Sequence, residues 1–429
     1  MSMPVTPVTE PSCRHNQPLH ILHLATTFPK SHDDAQPAFV KTLCHLLSKE
    51  ARLVVLTPHA RTLPVVEYVN GIELHRFRYA PEHLESLAYG SGIRENLRKN
   101  RLTFLLVPGF LLGMAYCLSR LMARSQFDVV RAHWWFPCGL IAALVARCQP
   151  KSRRPRILIT CHGGDVFALH GRIFDFFLRL TARNVERFIA VSTAVHRNLT
   201  NRSIDASRIS VIPMGVDVGK LFVPPAENQQ RNGIVFVGRL VEKKGVDVLL
   251  HAVALLRDRG LVPQVTIAGD GPLRTDLEKM TSELGIREQI HFMGAVPNTD
   301  TPKLFQSASI AVFPFRRARS GDQDGLGLVM PEAMGCECLV VASDMENTHD
   351  VIINGQTGMV FPTEDATALA DLLADLLSRK PETLDQMRHA AKRHATQNYG
   401  WQHVIESHLK IYFDVRLANG PDSELPQPN

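Results

Sequence analysis

Short apolar runs rich in β-branched residues alternate along the chain with longer segments of helical periodicity. Apolar runs separated by about ten or more residues of helical pattern are typical of parallel strands in sheets that helices cover on both faces. In the first half of the chain this pattern predicts strands at His20–Ala25, Arg52–Thr57, Glu73–Arg78, Asp128–His133, Arg156–Cys161, Arg187–Ser192 and Ile209–Pro213. In the second half it predicts strands at Gly233–Gly238, Gln264–Gly269, Ile290–Gly294, Ile310–Pro314, Leu339–Ser343 and Gly358–Pro362. The chain is therefore predicted to be an α/β protein with two parallel sheets.

A polar segment separates the two sets of strands. Val223–Asn232 (VPPAENQQRN) is rich in proline, asparagine and glutamine and leads directly into a new strand. A length of 429 residues also favours two or three domains over one. We predict one domain over residues 19–222 and a second over residues 223–400, with a final helix near 401–417 that packs back on the first domain.

The composition is that of an ordinary globular protein. The chain is 45% hydrophobic and 21% charged, with 27 glycines and 27 prolines, which excludes disordered, collagen-like and coiled-coil classes. The 8 cysteines are scattered without a CxxC pair, so we expect neither a disulfide scaffold nor a zinc ribbon. No apolar stretch precedes residue 20, so we expect no signal peptide and a cytoplasmic location.

The net charge of +6 hides a division between the two halves of the chain. Residues 1–210 contain 27 lysines and arginines against 14 acidic residues, whereas residues 211–429 contain 21 against 28. The basic residues of the first half are dispersed and lack interleaved aromatic residues, so nucleic acid is not an expected partner. An anionic membrane surface or a phosphorylated substrate fits this half better.

An uncharged segment lies within the basic half. Thr103–Ser119 has 17 positions without a charge and is interrupted by Pro108, Gly109 and Gly113, so it is too short and too broken to span a membrane. Basic residues flank it on both sides: Arg94, Arg98, Lys99, Arg101, Arg120 and Arg124. Two interpretations stay open, a buried helix or a helix that lies at an anionic membrane interface.

The first candidate binding motif follows the first predicted strand of the second domain. In Val235–Asp247 (VFVGRLVEKKGVD) the strand ends at Gly238, and Arg239 and Lys244 come soon afterwards. Ligands of open parallel sheets bind beyond the carboxyl ends of the strands, and two cations placed there suit a diphosphate. The alternative is a solvated surface turn.

The second candidate motif is Ser320–Ala333 (SGDQDGLGLVMPEA). Gly325 and Gly327 flank the predicted start of a helix, which leaves backbone N–H groups free for an anion or for hydroxyls. Asp324 precedes this turn and Glu332 follows eight residues later, so one carboxylate can contact a sugar and the other a ribose. The alternative is a helix N-cap at Asp324 and an ordinary helical glutamate.

These motifs, in their order and spacing, resemble those of family 4 glycosyltransferases. The segments that carry the resemblance in the second domain are GRLVEKKG, IAGDGPLR, DGLGLVMPEA and NGQTGMVFP. Those in the first domain are HILHLATTFP, RAHWWFPCG, TCHGGDVF, VSTAVHRNL and VIPMGVD. The resemblance covers residues 20–415 and implies the GT-B architecture, in which two Rossmann-like domains face each other across a cleft.

The resemblance also implies roles for single residues of the second domain. Arg239 and Lys244 would bind the diphosphate of the donor, and Glu332 would accept hydrogen bonds from the ribose hydroxyls. Asp324 stands where the family usually has glutamate, next to the transferred sugar, and its side chain is one methylene shorter.

Further contacts to the donor sugar are implied from both domains. The backbone amides of Gly325, Leu326 and Gly327 would line the sugar pocket. His162, in the CHGGD segment, matches the histidine that reaches the sugar from the first domain.

Two other segments bear on the predicted cleft. Phe28–Val40 lacks the glycine-rich loop that many relatives carry after the first strand, and has Pro37 and Ala38 instead. The HWW segment at residues 133–135 follows a strand and either lines the cleft or packs in the core.

Asp322 and Asp324 resemble the DxD metal site of the other glycosyltransferase fold. We expect no obligatory metal here, because Arg239 and Lys244 can offset the charge of a departing diphosphate. The nucleotide sugar is a substrate, so no separate cofactor is predicted.

Together these features predict a retaining, metal-independent glycosyltransferase of the hexosyltransferase type. It would move a sugar from a nucleoside diphosphate sugar to a hydroxyl of a glycan or lipid-linked acceptor, in the synthesis of cell-surface polysaccharide or glycolipid. The basic first domain would hold it peripherally on the inner face of the cytoplasmic membrane. The alternatives are a non-catalytic nucleotide-sugar-binding subunit, which the aspartate at position 324 favours, and a sugar-nucleotide epimerase or glycogen-synthase-like enzyme of the same fold.

Overall fold

The computed structural model describes residues 18–30, 39–90, 92–227 and 229–417, and the predicted loop difference at Pro37 and Ala38 lies outside these residues. The described residues form two sheets, one from each half of the sequence. The strands of the first sheet are β1 (His20–Leu24), β2 (Arg52–Pro58), β3 (Val66–Val69), β4 (Ile72–Phe77), β5 (Val129–His133), β6 (Arg156–Cys161), β7 (Arg187–Ala190) and β8 (Ile209–Val211). Those of the second sheet are β9 (Ile234–Val237), β10 (Val265–Ala268), β11 (Ile290–Gly294), β12 (Ile310–Phe313), β13 (Leu339–Ser343) and β14 (Met359–Phe361).

Helices connect and cover the strands. Those of the first half are α1 (Phe39–Leu47), α2 (Ile93–Lys99), α3 (Leu106–Arg124), α4 (Leu140–Arg147), α5 (Gly164–Phe167), α6 (Arg172–Ala182) and α7 (Thr193–Asn201). Those of the second half are α8 (Val246–Asp258), α9 (Arg274–Glu283), α10 (Thr301–Ser307), α11 (Val329–Gly335), α12 (Thr348–Val351), α13 (Ala366–Ser378), α14 (Pro381–Tyr399) and α15 (Trp401–Leu417).

The first sheet has the strand order β3-β4-β2-β1-β5-β6-β7-β8. All neighbouring strands pair in parallel except β3 and β4, which are antiparallel. Every strand predicted for this half is present, with ends that differ by at most two residues, because a short run rich in apolar residues marks a strand that is covered on both faces. β3 is missing from the predicted strands, because its residues alternate between exposed and half-buried at the sheet edge and form no such run.

The second sheet is entirely parallel, with the strand order β11-β10-β9-β12-β13-β14. In each sheet the chain order reverses between two neighbouring strands, which are β1 and β5 in the first sheet and β9 and β12 in the second. Loops that leave such a pair diverge to opposite faces and open a crevice at the carboxyl ends of the strands. The structure confirms the predicted GT-B arrangement of two facing Rossmann-like domains.

The chain passes between the two halves twice. Among its described residues, the polar segment 223–232 contains no helix or strand. The chain then returns through α15, which contacts α1 of the first half. The Tyr412 hydroxyl on α15 accepts a 2.7 Å hydrogen bond from Arg131 Nη1 on β5. Helix α15 therefore lies against the first domain.

Helix α3 covers the first sheet with one face only. Its buried residues are spaced four positions apart: Phe110, Met114, Leu118 and Met122. Gly113 lets this face approach the end of β4 closely, because a Cβ atom there would overlap the carbonyl oxygen of Arg78. Large apolar side chains that are between 56% and 76% exposed cover the rest of this segment: Leu102, Phe104, Leu105, Leu112 and Tyr116.

This exposure bears on the two interpretations of the uncharged segment. Within the described residues, Arg101–Arg124 is one helical segment that is long and apolar enough to cross a membrane by length and composition, and 22% of its apolar window is buried. The expectation of a segment too short and too broken to span is therefore wrong, because the helix continues through Pro108, Gly109 and Gly113. Because most of this apolar window is at least partly exposed, the segment is not a helix that is buried on all sides. The segment lies along the first sheet and presents an apolar outer surface.

Candidate active site

The two crevices meet where the loop after β6 touches the loop after β12. A Cβ atom at Gly163 would lie 2.6 Å from the backbone nitrogen of Gly325. A Cβ atom at Gly325 would overlap the carbonyl oxygen of His162. The absence of a side chain at both positions is what lets the two backbones touch. The contact places His162 and Asp324 on opposite walls of one cleft.

The cationic wall of this cleft comes from the loop between β9 and α8. Gly245 closes this loop with a φ of +63°, and a side chain there would overlap the carbonyl oxygen of Pro314. The loop is thereby held against the segment that follows β12. Lys244 Nζ lies 4.3 Å from the centroid of the Phe315 ring, which keeps the ammonium group at the crevice.

Lys244 is paired with a carboxylate of the second motif. Its ammonium group lies 2.5 Å from Asp324 Oδ2, and Lys243 lies 3.2 Å from Oδ1 of the same side chain. Lys243 also lies 3.4 Å from Asp322, which Arg94 of the first domain reaches at 3.1 Å. Burial alone would raise the pKa of Asp324, but Lys244 and Lys243 hold it at about 2. Asp324 is therefore ionised at neutral pH, within a cluster of alternating charges.

The turn after Asp324 differs from the predicted start of a helix. The N-cap of α11 is Leu328, whose side chain makes no capping hydrogen bond. The N-cap interpretation of Asp324 is therefore wrong, because this residue lies four positions before the cap. Gly325 and Leu326 are buried, and Gly327 has a φ of +83°, so these residues form a separate tight turn.

Glu332 lies in the first turn of α11 and is half-buried. Burial raises the pKa of its carboxyl group to about 8, and the positive charge of Lys244 offsets part of the rise. Glu332 is therefore largely protonated at neutral pH, and it accepts hydrogen bonds from hydroxyls most strongly at alkaline pH, when it is ionised.

Arg239 stands apart from the charge cluster. It is exposed, and within the part of the chain that the structure describes its guanidinium group has neither a hydrogen-bond nor an ion-pair partner. An incoming anion would therefore reach Arg239 without displacing a carboxylate.

A buried carboxylate shapes the loop that carries His162. Asp165 Oδ1 accepts hydrogen bonds from the backbone N–H groups of His162 (3.0 Å) and Gly163 (3.1 Å), and Oδ2 accepts one from Trp135 (2.9 Å). Burial raises the pKa of Asp165 to about 6, although these backbone N–H groups oppose the rise. Asp165 is missing from the predicted site residues. Its signal in the sequence is its position three residues after His162, where a short carboxylate can cap the amides of a turn.

The His162 ring is half-buried among aromatic groups. Its Nε2 atom lies 3.0 Å from His133 Nδ1, and its centroid lies 4.9 Å from that of Trp134 and 5.2 Å from that of Phe39. Burial lowers the pKa of His162 to about 3, so the ring is neutral. The two interpretations of the HWW segment apply to different residues. Trp134 lies beside His162 at the cleft, whereas Trp135 is fully buried in the core.

The DxD-like pair is held by cations in this structure. Asp322 and Asp324 are bound by Lys243, Lys244 and Arg94. Within the described ranges, no group of three or more histidine, cysteine, aspartate or glutamate side chains could hold a metal ion.

Two facing Rossmann-like domains, with a cationic loop of one domain against a histidine loop of the other, define a glycosyltransferase of the GT-B fold. The family model "Glycosyltransferase Family 4" matches residues 38–220, and the family model "Glycosyl transferases group 1" matches residues 218–394. The two matches together cover most of the chain. The chain belongs to the family 4 glycosyltransferases, as its motifs predicted.

Individual relatives agree with this assignment. The GDP-mannose-dependent alpha-(1-6)-phosphatidylinositol monomannoside mannosyltransferase of Mycolicibacterium smegmatis is 28% identical over 299 residues, which are 66% of this chain and 76% of the relative. The D-inositol 3-phosphate glycosyltransferase of Jonesia denitrificans is 26% identical over 359 residues, which are 76% of this chain and 81% of the relative. The structure of sucrose-phosphate synthase from Thermosynechococcus elongatus matches with a TM-score of 0.74 at 19% identity, over 93% of this chain and 100% of that one. This last similarity shows the shared fold.

Proposed function

We propose that the protein transfers a hexose from a nucleoside diphosphate sugar to a hydroxyl acceptor, with retention of anomeric configuration and without an obligatory metal or other cofactor. One observation carries the proposal, the contact between the loop at His162 and Gly163 and the turn at Asp324 and Gly325. A donor bound in this cleft would place its diphosphate at Lys244 and its sugar between the two walls.

Positive charge in the cleft supports a diphosphate donor. Lys244 and Lys243 lie on one loop beside the cleft, and Arg239 on the same loop has no partner within the described residues. Preorganised cations stabilise the negative charge that develops on a leaving diphosphate, which is the task that a metal ion would otherwise perform. The name of the Mycolicibacterium smegmatis relative, GDP-mannose-dependent, also supports a nucleoside diphosphate hexose as the donor.

The pairing of Asp324 and the burial of Asp165 support a reaction that retains the anomeric configuration without a protein nucleophile. Asp324 is bound by two lysines at 2.5 and 3.2 Å, and Asp165 is buried under backbone N–H groups, so neither is free to attack the anomeric carbon. In the proposed reaction the bond from the anomeric carbon to the phosphate oxygen breaks. The acceptor oxygen forms the new bond on the same face, and its proton passes to the departing phosphate oxygen.

The names of the relatives suggest what the acceptor is like. One acts on a phosphatidylinositol monomannoside and the other on an inositol phosphate. Both acceptors are phosphorylated and one is a lipid, which agrees with the excess of basic residues in the first half of this chain. We therefore assign the protein to the synthesis of a cell-surface polysaccharide or glycolipid from a lipid-linked or phosphorylated glycan.

The outer surface of the first domain supports a peripheral position on the inner face of the cytoplasmic membrane. Helix α3 contacts α4, and α4 contacts α6, so the three helices form one layer. Each contributes exposed apolar side chains to that layer: Leu112 and Tyr116 from α3, Leu144 from α4, and Ile173 and Phe176 from α6. Apolar side chains with flanking arginines are typical of interfacial helices.

Arg94 does not belong to this surface. Its guanidinium group pairs with Asp322 at the cleft, so it is engaged away from any lipid. The other basic residues around the apolar segment are all exposed: Arg98, Lys99, Arg101, Arg120 and Arg124.

The catalytic proposal is tested with the full chain, first by thermal shift with UDP, GDP and ADP and their hexose conjugates, then by release of labelled sugar from the donor that binds. We expect one nucleotide family to stabilise the protein and its hexose conjugate to be hydrolysed slowly or transferred in the presence of EDTA. A non-catalytic binding subunit would bind the nucleotide but release no sugar, and an epimerase would change the sugar without freeing the nucleotide. Complete loss of activity with EDTA, restored by Mn²⁺, would contradict the metal-independent mechanism.

The membrane proposal is tested by co-sedimentation with neutral and anionic vesicles at low and high salt. Each basic group near an anionic leaflet contributes about 1 kcal/mol, so replacing Arg101, Arg120 and Arg124 by glutamine should weaken binding roughly 100-fold. Lys279 and Lys303, which are exposed on the second domain, provide a control set for the same replacement. If the wild-type protein co-sedimented no better with anionic vesicles than with neutral ones, this part of the proposal would be refuted.

A further inference from the structure

A row of three imidazole rings runs from the cleft into the first domain. His162 Nε2 lies 3.0 Å from His133 Nδ1, and His133 Nε2 lies 3.1 Å from His23 Nδ1. The plane of the His133 ring is inclined by 22° to that of His162 and by 30° to that of His23. His23 and His133 are fully buried, whereas His162 is half-buried at the cleft. We call these three residues the histidine ladder.

The strand register assembles the ladder. His23 on β1 is aligned with Arg131 on β5, and His133 on β5 is aligned with Thr160 on β6. Because side chains alternate between the faces of a strand, residues 131 and 133 lie on the same face of the sheet as His23. Arg131 is fully buried and donates hydrogen bonds to Thr160 (2.9 Å) and Tyr412 (2.7 Å), and within the described residues it has no carboxylate partner. A buried positive charge therefore lies beside the ladder.

This environment keeps the ladder neutral. Burial, followed by the charge of Arg131, lowers the pKa of His162 to about 3 and the pKa values of His133 and His23 well below their ordinary range. A neutral imidazole carries one N–H group and one lone pair. Each neutral ring can therefore exist as one of two tautomers, which differ in the nitrogen that carries the proton.

Two arrangements of protons satisfy both hydrogen bonds between the rings. Because His133 has a single N–H group, it must donate to one neighbour and accept from the other. In the inward arrangement His162 Nε2–H donates to His133, and His133 donates to His23. In the outward arrangement His23 Nδ1–H donates to His133 Nε2, and His133 Nδ1–H donates to His162 Nε2. In the outward arrangement His162 therefore carries its proton on Nδ1.

The far end of the ladder distinguishes the two arrangements. His23 Nε2 is buried and has no hydrogen-bond partner among the described residues. The inward arrangement would leave an N–H group unpaired at this atom, whereas the outward arrangement leaves only a lone pair, and unpaired buried N–H groups are the rarer of the two in proteins. We propose that His133 and His23 are positioning residues that hold His162 in its Nδ1–H tautomer, so that His162 presents an N–H donor to the cleft.

The consequence for the donor rests on the function proposed above. An N–H group on this wall selects a ligand atom that accepts a hydrogen bond, such as a hydroxyl oxygen of the transferred sugar. A sugar that lacks this hydroxyl would leave the N–H group of the half-buried His162 ring without a hydrogen-bond acceptor. The ladder would thereby contribute to recognition of the sugar and not of the nucleotide.

The tautomer is measured on the free protein, so this test does not depend on the proposed function. The full chain is labelled with ¹⁵N-histidine, and the His162 signals are assigned by their loss in His162→Gln. We expect the Nδ1 signal of His162 to be that of a protonated nitrogen and the Nε2 signal that of an unprotonated one. A protonated Nε2 on His162 would overturn the proposal.

Kinetics of two His133 variants provide the second measurement. His133→Leu removes the donor to His162 Nε2, and we expect kcat/KM for the donor sugar to fall about tenfold, the worth of one hydrogen bond, while the affinity for the nucleoside diphosphate stays unchanged. His133→Asn keeps an N–H donor at this place and should recover most of the activity. His59→Asn, a change to a buried histidine that is bonded to Glu85, is the control for general destabilisation.

The outcomes separate the two proposals. A folded His133→Leu variant with wild-type kcat/KM, or one that loses nucleoside diphosphate affinity equally, would overturn the ladder. If this variant does not fold, the tautomer measurement decides alone. A wild type with Nδ1–H on His162 but without sugar transfer would leave the ladder in place and refute the catalytic function.

Discussion

The pairing of Asp324 with Lys244 leads to an unusual expectation for Asp324→Asn. In the free protein the carboxylate lies 2.5 Å from the ammonium group that we assign to the diphosphate, so the two anions compete for one cation. Replacing Asp324 by asparagine removes the competitor and one negative charge. We expect the nucleoside diphosphate to bind more tightly to this variant, while sugar transfer becomes slower because the contact to the sugar is lost.

The structure sets the size of the effect. A hydrogen bond to a charged group contributes about 1.5–3 kcal/mol, and this one joins side chains that are 14% and 12% exposed. We expect the lower end, about 1.5 kcal/mol or slightly more than a tenfold gain in affinity, because residual solvent contact screens the pair. Asp324 is ionised at any pH well above its pKa of about 2, so the gain should be constant between pH 5 and pH 9.

Titration calorimetry with the nucleoside diphosphate, beside a transfer assay, measures both effects. Asp322→Asn is the matched control, because it removes the same charge from the cluster but leaves the partner of Lys244 in place. Asp324→Glu keeps the charge and restores the residue usual in the family, so it should retain both the pairing and the activity. Weaker nucleotide binding in Asp324→Asn, or full transfer activity in that variant, would refute the reasoning.

Three further predictions concern the other site residues. Arg239→Ala should weaken nucleoside diphosphate binding about 10- to 100-fold, because it removes a charged donor to the phosphates. Its melting temperature should be unchanged, because the side chain is exposed and unpaired within the described residues. An unchanged affinity by calorimetry would contradict the role of Arg239. Burial raises the pKa of Glu332 to about 8, so wild-type affinity for a nucleoside should rise from pH 6 to about pH 8 and then level off, whereas Glu332→Gln should show a flat profile. Gly325→Ala should reduce transfer strongly, because its Cβ atom would overlap the carbonyl oxygen of His162. Gly164→Ala, with open space around its Cβ atom, should retain activity. Equal transfer rates in the two variants would show that the contact between the loops is not required.

The fold and the outline of the site could be predicted from the sequence, because both depend on local pattern. Strands such as β9 and β13 are apolar runs that end where glycine or polar residues begin, and such runs are typical of buried parallel strands. The motifs after β9 and β12 could be placed at the cleft for the same reason, since loops at the carboxyl ends of parallel strands line the crevice. Edge strand β3 could not be predicted, because half of its residues face solvent and carry no apolar run.

Helix α3 shows where the sequence pattern becomes insufficient. Hydropathy identifies Thr103–Ser119 as apolar, but it does not say which face is covered. In the structure the residues at four-residue spacing from Phe110 to Met122 pack on the sheet, and Leu112 and Tyr116 stay outside. Only the packing partner decides this, because both faces of the helix are apolar.

The sequence by itself therefore determined the strands, the two-domain class and the loops that carry the chemistry. The tertiary structure alone decided which residues of those loops meet. Lys244 pairs with Asp324 across 80 positions, and the ladder joins His23 to His133 across 110. Such partners are selected by strand register and by the distance between two backbones, which depend on the whole sheet and are not encoded in any short segment around either residue.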